Sequence, residues 1–216
     1  SWEVYQLIDA KNAKEANKRS LEALNNDVSG ICFSNPNNLD ILLKDISIEN
    51  IRIDFKNYSK QFILDWEKFT INKRVKGAFH GIERSNLLNT VFAKGETAKQ
   101  QIKSALEQGL SVGSRVQFMF EIRNNYFLEI AKLKAFRILW KSKTTKDAYI
   151  FATNSSHNKE VEFPYNNILR STTECMSAIF GGANAIMLNS YNSTFENATY
   201  FSERISRNQQ NILKKE

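Results

Sequence analysis

The sequence predicts an α/β protein, a TIM-type (β/α)8 barrel formed as a single domain by residues 1–216. Eight short segments with the composition of buried strands occur along the chain, and helical segments separate most of them. The length of 216 residues fits one such domain with a sizeable core. The alternative is an open doubly wound sheet of the same elements, but no Gly-x-Gly-x-x-Gly or P-loop sequence follows any strand.

The first half of the chain contains five predicted strands and three predicted helices. The strands are expected at residues 2–9, 31–33, 51–55, 75–79 and 89–93. The helices are expected at residues 13–25, 39–44 and 59–69. In the third helix, Phe62, Trp66 and Phe69 recur at the spacing of one helical face. The connection between the fourth and fifth strands is too short for a full helix.

The second half of the chain continues the alternation of helices and strands. A helix over residues 97–108 ends at Gly109, a strand follows at 116–120, and the longest helix covers 123–140. After a strand at 147–153, the stretch from Phe163 to Gln210 predicts a helix, a turn at Gly181-Gly182, a buried strand at 185–189 and a polar helix. This last stretch is the repeating unit of parallel α/β folds.

Composition and charge narrow the classes of function. A net charge of +7 is compatible with nucleic acid, an anionic membrane or an anionic ligand such as a CoA ester. The basic residues are dispersed and no stacking or zinc-finger pattern accompanies them, so we expect a solvated basic surface, with neither nucleic acid nor membrane as partner. Cys32 and Cys175 lie in apolar contexts, which predicts buried reduced thiols and a cytoplasmic location. The chain starts at Ser1 without a signal peptide, and we interpret it as a domain of a longer protein.

Two groups of residues near the end of the chain resemble the methylmalonyl-CoA mutase family of adenosylcobalamin-dependent isomerases. That family has Pro-Tyr-Asn-Asn…Arg-Thr-Thr-x-Glu before a glycine turn and Arg-Ile-x-Arg-Asn-x-Gln in the last helix. This chain has Pro164-Tyr165-Asn166-Asn167…Arg170-Ser171-Thr172-x-Glu174 and Arg204-Ile205-Ser206-Arg207-Asn208-Gln209-Gln210. A third match runs without gaps from Arg115 to Trp140. The similarity covers about half the chain and implies the family's barrel, along whose axis CoA is threaded.

The resemblance also assigns one candidate site residue. The family arginine that aligns with Arg115 contacts the carboxylate of the acyl-CoA, so Arg115 is the substrate-binding candidate. A guanidinium fork suits a carboxylate chemically. The alternative is that Arg115 pairs with a structural acid or lies in solvent.

Several residues depart from the family where its chemistry is located. Thr153 falls at the position of the histidine that hydrogen-bonds the migrating thioester, and His157, four positions later, is not expected to reach the same point. In the eighth strand Asn184 replaces a glutamine and Met187 a histidine, and Asn192-Ser193 replace Asp-Glu. The cobalamin signature Asp-x-His-x-x-Gly is absent. We therefore predict no catalytic residues, no metal site and no cofactor bound by this chain, with adenosylcobalamin on a partner chain.

Three functions remain open from the sequence. The leading hypothesis is the small, non-catalytic subunit of a heterodimeric methylmalonyl-CoA mutase, stabilising a large catalytic subunit. The second is a divergent acyl-CoA mutase domain that binds CoA esters and needs a separate cobalamin-binding chain. The third is a module that binds CoA esters or other polyanions without chemistry.

Overall fold

The fold is a closed barrel of eight parallel strands, as the sequence predicted. The computed structural model describes residues 2–113 and 115–216. The strands follow one another around the barrel in chain order. They are Glu3–Asp9 (β1), Gly30–Ser34 (β2), Arg52–Lys56 (β3), Lys76–Phe79 (β4), Leu88–Phe92 (β5), Val116–Ile122 (β6), Ile150–Asn154 (β7) and Ala185–Met187 (β8). Backbone hydrogen bonds of 2.9 Å continue the ladder from Ala93 to Met119 and from Glu3 to Asn184.

The described residues form seven helices. They are Ala13–Leu24 (α1), Leu39–Leu42 (α2), Lys60–Phe69 (α3), Ala98–Val112 (α4), Tyr126–Thr144 (α5), Asn166–Phe180 (α6) and Tyr200–Lys215 (α7). No helix in the described residues is both long and apolar enough to cross a membrane. Contacts are densest within two units: residues 5–90 form one, and residues 91–216 together with residues 2–4 form the other.

In residues 5–90, the two faces of the strands differ in chemistry. Phe55 of β3 packs against Phe62 and Trp66 of α3 with ring centroids 4.9 Å apart in both pairs. Because successive side chains of a strand point to opposite faces, Asp54 lies on the face turned away from this helix, towards the barrel axis. Cys32 is the register partner of Asp54 on β2 and shares that face. The helix-facing layer is therefore largely apolar, and the axis-facing layer contains the polar side chains Asp54 and Cys32.

In residues 91–216, the same alternation orients β6. Phe118 packs against Phe136 and Trp140 of α5 at 4.7 and 4.6 Å. The alternate residues of the strand, Gln117 and Glu121, consequently face the barrel axis. The axis-facing residues at the carboxyl end of β6 are those that can contribute to a site.

Two element boundaries carry information about the fold. The connection of β4 to β5 contains no helix, as expected, and β5 is held by its register with β4 and by a Trp66 Nε1–Asn86 Oδ1 hydrogen bond of 2.9 Å. The longest helix was predicted from residue 123 but begins at Tyr126. The Asn125 side chain caps it by accepting a hydrogen bond from the Leu128 amide, which fixes the start of the helix.

Candidate functional site

The carboxyl ends of β6, β7 and β8 bring three axis-facing residues side by side. In the parallel register Glu121 lies opposite Thr153, and Thr153 lies opposite Met187. The carboxyl edge is where (β/α)8 barrels carry their sites. The two positions that depart from the family histidines, Thr153 and Met187, are therefore neighbours at that edge.

His157 lies on the loop after β7 and returns to this edge. Its Nδ1 is 3.5 Å from Glu121 Oε1 and 3.3 Å from Ser155 Oγ. The Ser156 amide donates to the same Glu121 oxygen at 3.3 Å, which ties the loop to β6. The imidazole is 64% exposed. The loop therefore places an accessible imidazole against Glu121, the register partner of Thr153.

The end of β6 is held from outside the barrel by the buried side chain of Lys132. Its Nζ donates to the Glu121 carbonyl at 2.9 Å and to Gln101 Oε1 at 2.7 Å, and it is paired with Glu129. Burial lowers the pKa of Lys132, and the neighbouring Glu129 carboxylate opposes that shift. The network fixes the backbone from which Glu121 projects.

A second buried ion pair holds the loop after β7 against α6. Lys159 Nζ lies 2.7 Å from Glu174 Oε2, and Asn158 also donates to Glu174. Burial raises the pKa of Glu174 and lowers that of Lys159, so desolvation dominates at both ends of the pair. The family glutamate at 174 therefore has a structural contact here.

The remaining family residues of α6 and α7 meet in one polar seam. Gln209 Nε2 donates to the Ile168 carbonyl and to Thr172 Oγ1, both at 2.7 Å. Asn167, which is 0% exposed, donates to the carbonyls of Glu160 and Tyr191. These residues connect two helices and two loops. Their structural contacts account for the presence of these family residues without a catalytic role.

The substrate-binding candidate, Arg115, lies immediately before β6 and is exposed. Glu121 lies six positions further along the extended chain, a span of about 20 Å. Arg115 is therefore at the amino edge of the barrel, and Glu121 and His157 are at the carboxyl edge. Its role in binding an acyl-CoA stays a prediction.

A polar cluster on the axis-facing side of β2–β4 was missed by the sequence analysis. His80, directly after β4, places Nε2 3.2 Å from Asp54 Oδ2 and 4.0 Å from Cys32 Sγ. The His80 side chain is 4% exposed and that of Asp54 is fully buried. Burial lowers the pKa of His80, but the interaction with Cys32 and the hydrogen bond to Asp54 outweigh it and raise the pKa to about 10.

The cluster continues towards the amino ends of the strands. The Tyr5 hydroxyl donates to Asp54 Oδ1 at 3.1 Å and accepts from Arg52 Nε at 3.0 Å. The Tyr5 ring lies where any β-carbon on Gly30 would approach it to 2.4 Å. Gly30 is thus needed for the ring to cross β2. The alternation of Arg52 and Asp54 with apolar residues in β3 was the available sequence signal.

The described residues contain no group of three or more histidine, cysteine or acidic side chains that could hold a metal ion. The imidazoles are His80, which is enclosed by Asp54 and Cys32, and His157. Cys32 and Cys175 are both free and buried, as expected. The residues present do not offer the histidine signature with which the family holds cobalamin.

Comparison with known proteins decides the family. A family model described as methylmalonyl-CoA mutase matches residues 83–216, more than half of the chain. The chain belongs to the methylmalonyl-CoA mutase family. Its relatives include the methylmalonyl-CoA mutase small subunit of Porphyromonas gingivalis, 29% identical, with 100% of this chain and 46% of the relative covered. The methylmalonyl-CoA mutase of Rhizobium meliloti is 30% identical, with 81% of this chain and 27% of that protein covered.

The chain spans less than half the length of these two family relatives. Solved structures agree on the barrel fold alone. The dihydropteroate synthase of Yersinia pestis gives a TM-score of 0.55 at 9% identity and covers 97% of this chain and 93% of its own. The HPPK-DHPS A437G structure of Plasmodium falciparum gives 0.59 at 12% identity, covering 100% of this chain and 46% of that one.

Proposed function

We propose that the chain is the barrel of a small-subunit-type, non-catalytic component of an adenosylcobalamin-dependent methylmalonyl-CoA mutase. The observation that carries this proposal is the adjacent placement of Thr153 and Met187 at the carboxyl edge. Neither side chain can donate and accept protons as an imidazole does. A chain that only supports a catalytic partner would tolerate both replacements.

Packing along the barrel axis supports the same proposal. Tyr5, Cys32 and Asp54 face the axis in residues 5–90 and are each 0% exposed. Gln117 and Phe151, on the axis-facing sides of β6 and β7, are also 0% exposed. A CoA ester threaded along the axis would have to displace such side chains, and displacing packed core groups is costly.

The proposed partner is a large catalytic mutase chain that forms a heterodimer with this one and holds adenosylcobalamin. The holoenzyme would isomerise methylmalonyl-CoA and succinyl-CoA, with the radical chemistry supplied by the cofactor. The relative named as a small subunit motivates this assignment. A cytoplasmic location is part of the proposal and is motivated by the two free, buried cysteines.

Calorimetric titration with methylmalonyl-CoA at low and moderate salt tests the non-catalytic assignment. We expect no saturable binding along the axis, and no mutase turnover by the chain with added adenosylcobalamin. Turnover by the chain alone would refute the proposal. Saturable, salt-resistant binding that is lost in Arg115→Ala would instead favour the divergent acyl-CoA mutase domain.

Co-expression with a large mutase chain tests the subunit assignment. The two chains should co-purify as a 1:1 complex, and the catalytic chain should lose activity faster on heating when expressed alone. Interfaces of stable complexes bury more than about 1,000 Å² in total. Two chains that elute separately, with unchanged thermal inactivation of the catalytic chain, would count against the proposal.

A further inference from the structure

A small apolar pocket opens between the carboxyl-terminal ends of α4 and α5, on the outer side of the strands. It has a volume of about 180 Å³ and is lined by Gly109, Leu110, Gly113, Trp140, Thr144 and Lys146. Trp140 packs on Phe118 at 4.6 Å, and Phe118 faces the helices, so β6 separates the pocket from the barrel axis. A ligand threaded along the axis would therefore not enter it.

Two glycines one helical turn apart shape the pocket. A β-carbon on Gly109 would come within 2.8 Å of the Trp140 ring, so the bare backbone of α4 lies against that ring. Gly113 caps α4 with a φ of +96°, a conformation that favours glycine, and a β-carbon there would meet no described atom within 4 Å. The Trp140 ring therefore forms the wall, and the mouth of the pocket is left clear.

The size and lining of the pocket indicate an aromatic ring as ligand. An apolar cavity of about 150 Å³ takes up benzene, so the larger volume found here accommodates one six-membered ring. The Trp140 side chain offers an aromatic surface, against which another aromatic ring packs favourably. Leu110, on the opposite helix, is 50% exposed, so the pocket is open to solvent on that side. A polar substituent on the bound ring can consequently remain in water.

Lys146 adds a positive charge at the rim. Its backbone amide donates to Thr144 Oγ1 at 3.3 Å, which places the residue beside the end of α5. The nearby carboxylate of Asp147 is paired with Lys141 at 3.0 Å. Within residues 2–113 and 115–216 the Lys146 ammonium has no hydrogen-bond or ion-pair partner. A ligand whose ring fills the pocket can give this ammonium an anionic partner.

We propose that the pocket between α4 and α5 binds a small aromatic anion, a single ring with one acidic substituent, with the ring against Trp140 and Leu110 and the anionic group at Lys146. Two large apolar side chains are too few for the core of a protein interface, because stable interfaces bury more than about 1,000 Å². A free small molecule is therefore favoured over the side chain of a partner protein. The site needs neither turnover nor a partner chain, so it stands or falls separately from the subunit assignment.

NMR of the indole N–H groups tests the proposal, because the chain has three tryptophans and one of them lines the pocket. Phenylacetate should shift the Trp140 signal saturably with a dissociation constant of about 1 mM, as expected for a ligand of this size. Trp66, which is fully buried and donates to Asn86 in the other unit, is the internal control. No saturable shift at Trp140, or an equal shift at Trp66, would overturn the proposal.

Two further ligands separate the ring from the charge. Acetate carries the charge without the ring and should leave the Trp140 signal unchanged at the same concentration. Benzyl alcohol carries the ring without the charge and should bind about three- to fivefold more weakly than phenylacetate, the value of one exposed ion pair. Either an acetate shift as large as that with phenylacetate or equally tight binding of benzyl alcohol would refute the proposed ligand class.

Variants of exposed residues locate the site without disturbing the core. Leu110→Ala should weaken phenylacetate binding about fivefold, because part of the apolar wall is lost, and Leu169→Ala on α6 is the matched control that should bind as wild type. Lys146→Gln should lower the affinity for phenylacetate to that for benzyl alcohol. Lys134→Gln removes the same charge from an exposed position of α5 and should have no effect. Equal losses in a variant and its control would refute the site.

A peptide with phenylalanine between two glutamates tests the other occupant. It should bind no more tightly than phenylacetate, because only the ring and one charge find partners. Binding about tenfold tighter that is lost in Leu110→Ala would show that the pocket receives a side chain of a partner protein, and would overturn the assignment to a free aromatic anion.

Discussion

Substituting His80 by Gln should remove most of a pH-dependent contribution to stability. In the folded chain the pKa of His80 is raised to about 10, against 6.5 for an ordinary histidine. Burial acts to lower it, and the interactions with Cys32 and with the buried Asp54 overcome that effect. Because the folded chain binds the proton more tightly, the contribution is fully present below pH 6.5 and is lost as pH rises from 6.5 through about 10.

The magnitude follows from the two pKa values. Each unit corresponds to about 1.4 kcal/mol, so the free energy of unfolding should fall by roughly 3–5 kcal/mol across this window. The side chain of His80 is 4% exposed, so solvent screening reduces this little. Such a loss would be a large part of the ~5–15 kcal/mol that stabilises a typical domain.

Urea unfolding at half-unit steps from pH 6 to pH 10 measures this dependence. Wild-type stability should decline across the window, and His80→Gln should be less stable at pH 6 with a much shallower slope. Cys32→Ser should give an intermediate slope, because the interaction with Cys32 contributes to the shift. His157→Gln, at an exposed ring, is the matched control and should leave the slope unchanged. Parallel slopes for wild type and His80→Gln, or a His80 ring that deprotonates near pH 6.5 by NMR, would refute the reasoning.

Three further substitutions or treatments test the packing. Lys132→Met should lower the free energy of unfolding by about 3–5 kcal/mol, because it leaves the buried Glu129 carboxylate unpaired; adding Glu129→Leu should recover much of the loss, and denaturation of both variants gives the comparison. Gly109→Ala should destabilise by roughly 1–3 kcal/mol despite better helix propensity, because the new β-carbon would approach the Trp140 ring to 2.8 Å; unchanged thermal unfolding would contradict this. Cys175, whose pKa burial raises to about 12, should stay unreactive towards a thiol reagent until the chain unfolds; labelling in native buffer would show that the site opens.

The sequence was sufficient for the barrel because its signals are local. The apolar strands, the amphipathic face of Phe62 and Trp66 and the short β4–β5 connection each depend on neighbouring residues, and all three agree with the structure. The longest helix, predicted from residue 123, begins three residues later at Tyr126, because the side chain of Asn125 caps α5 there.

The polar contacts near the axis could not be obtained in the same way. Cys32, Asp54 and His80 are brought together by the register of three parallel strands, and register is a long-range property that no local pattern specifies. Likewise, the distance of four residues between Thr153 and His157 gave no indication that the loop turns back. The turn depends on the Ser156 amide meeting Glu121, a residue of another strand.

The family residues that this chain retains and those that it replaces differ in their structural contacts. Glu174, Asn167 and Gln209 are retained and are engaged in buried pairs or in hydrogen bonds to backbone carbonyls, so their removal would expose unsatisfied groups within the barrel wall. Thr153 and Met187 differ from the family and occupy neighbouring positions at the carboxyl edge, where a change of side chain leaves the wall intact. Selection for a stable barrel alone would give this distribution, because residues of the wall are held by packing and those of the edge by chemistry.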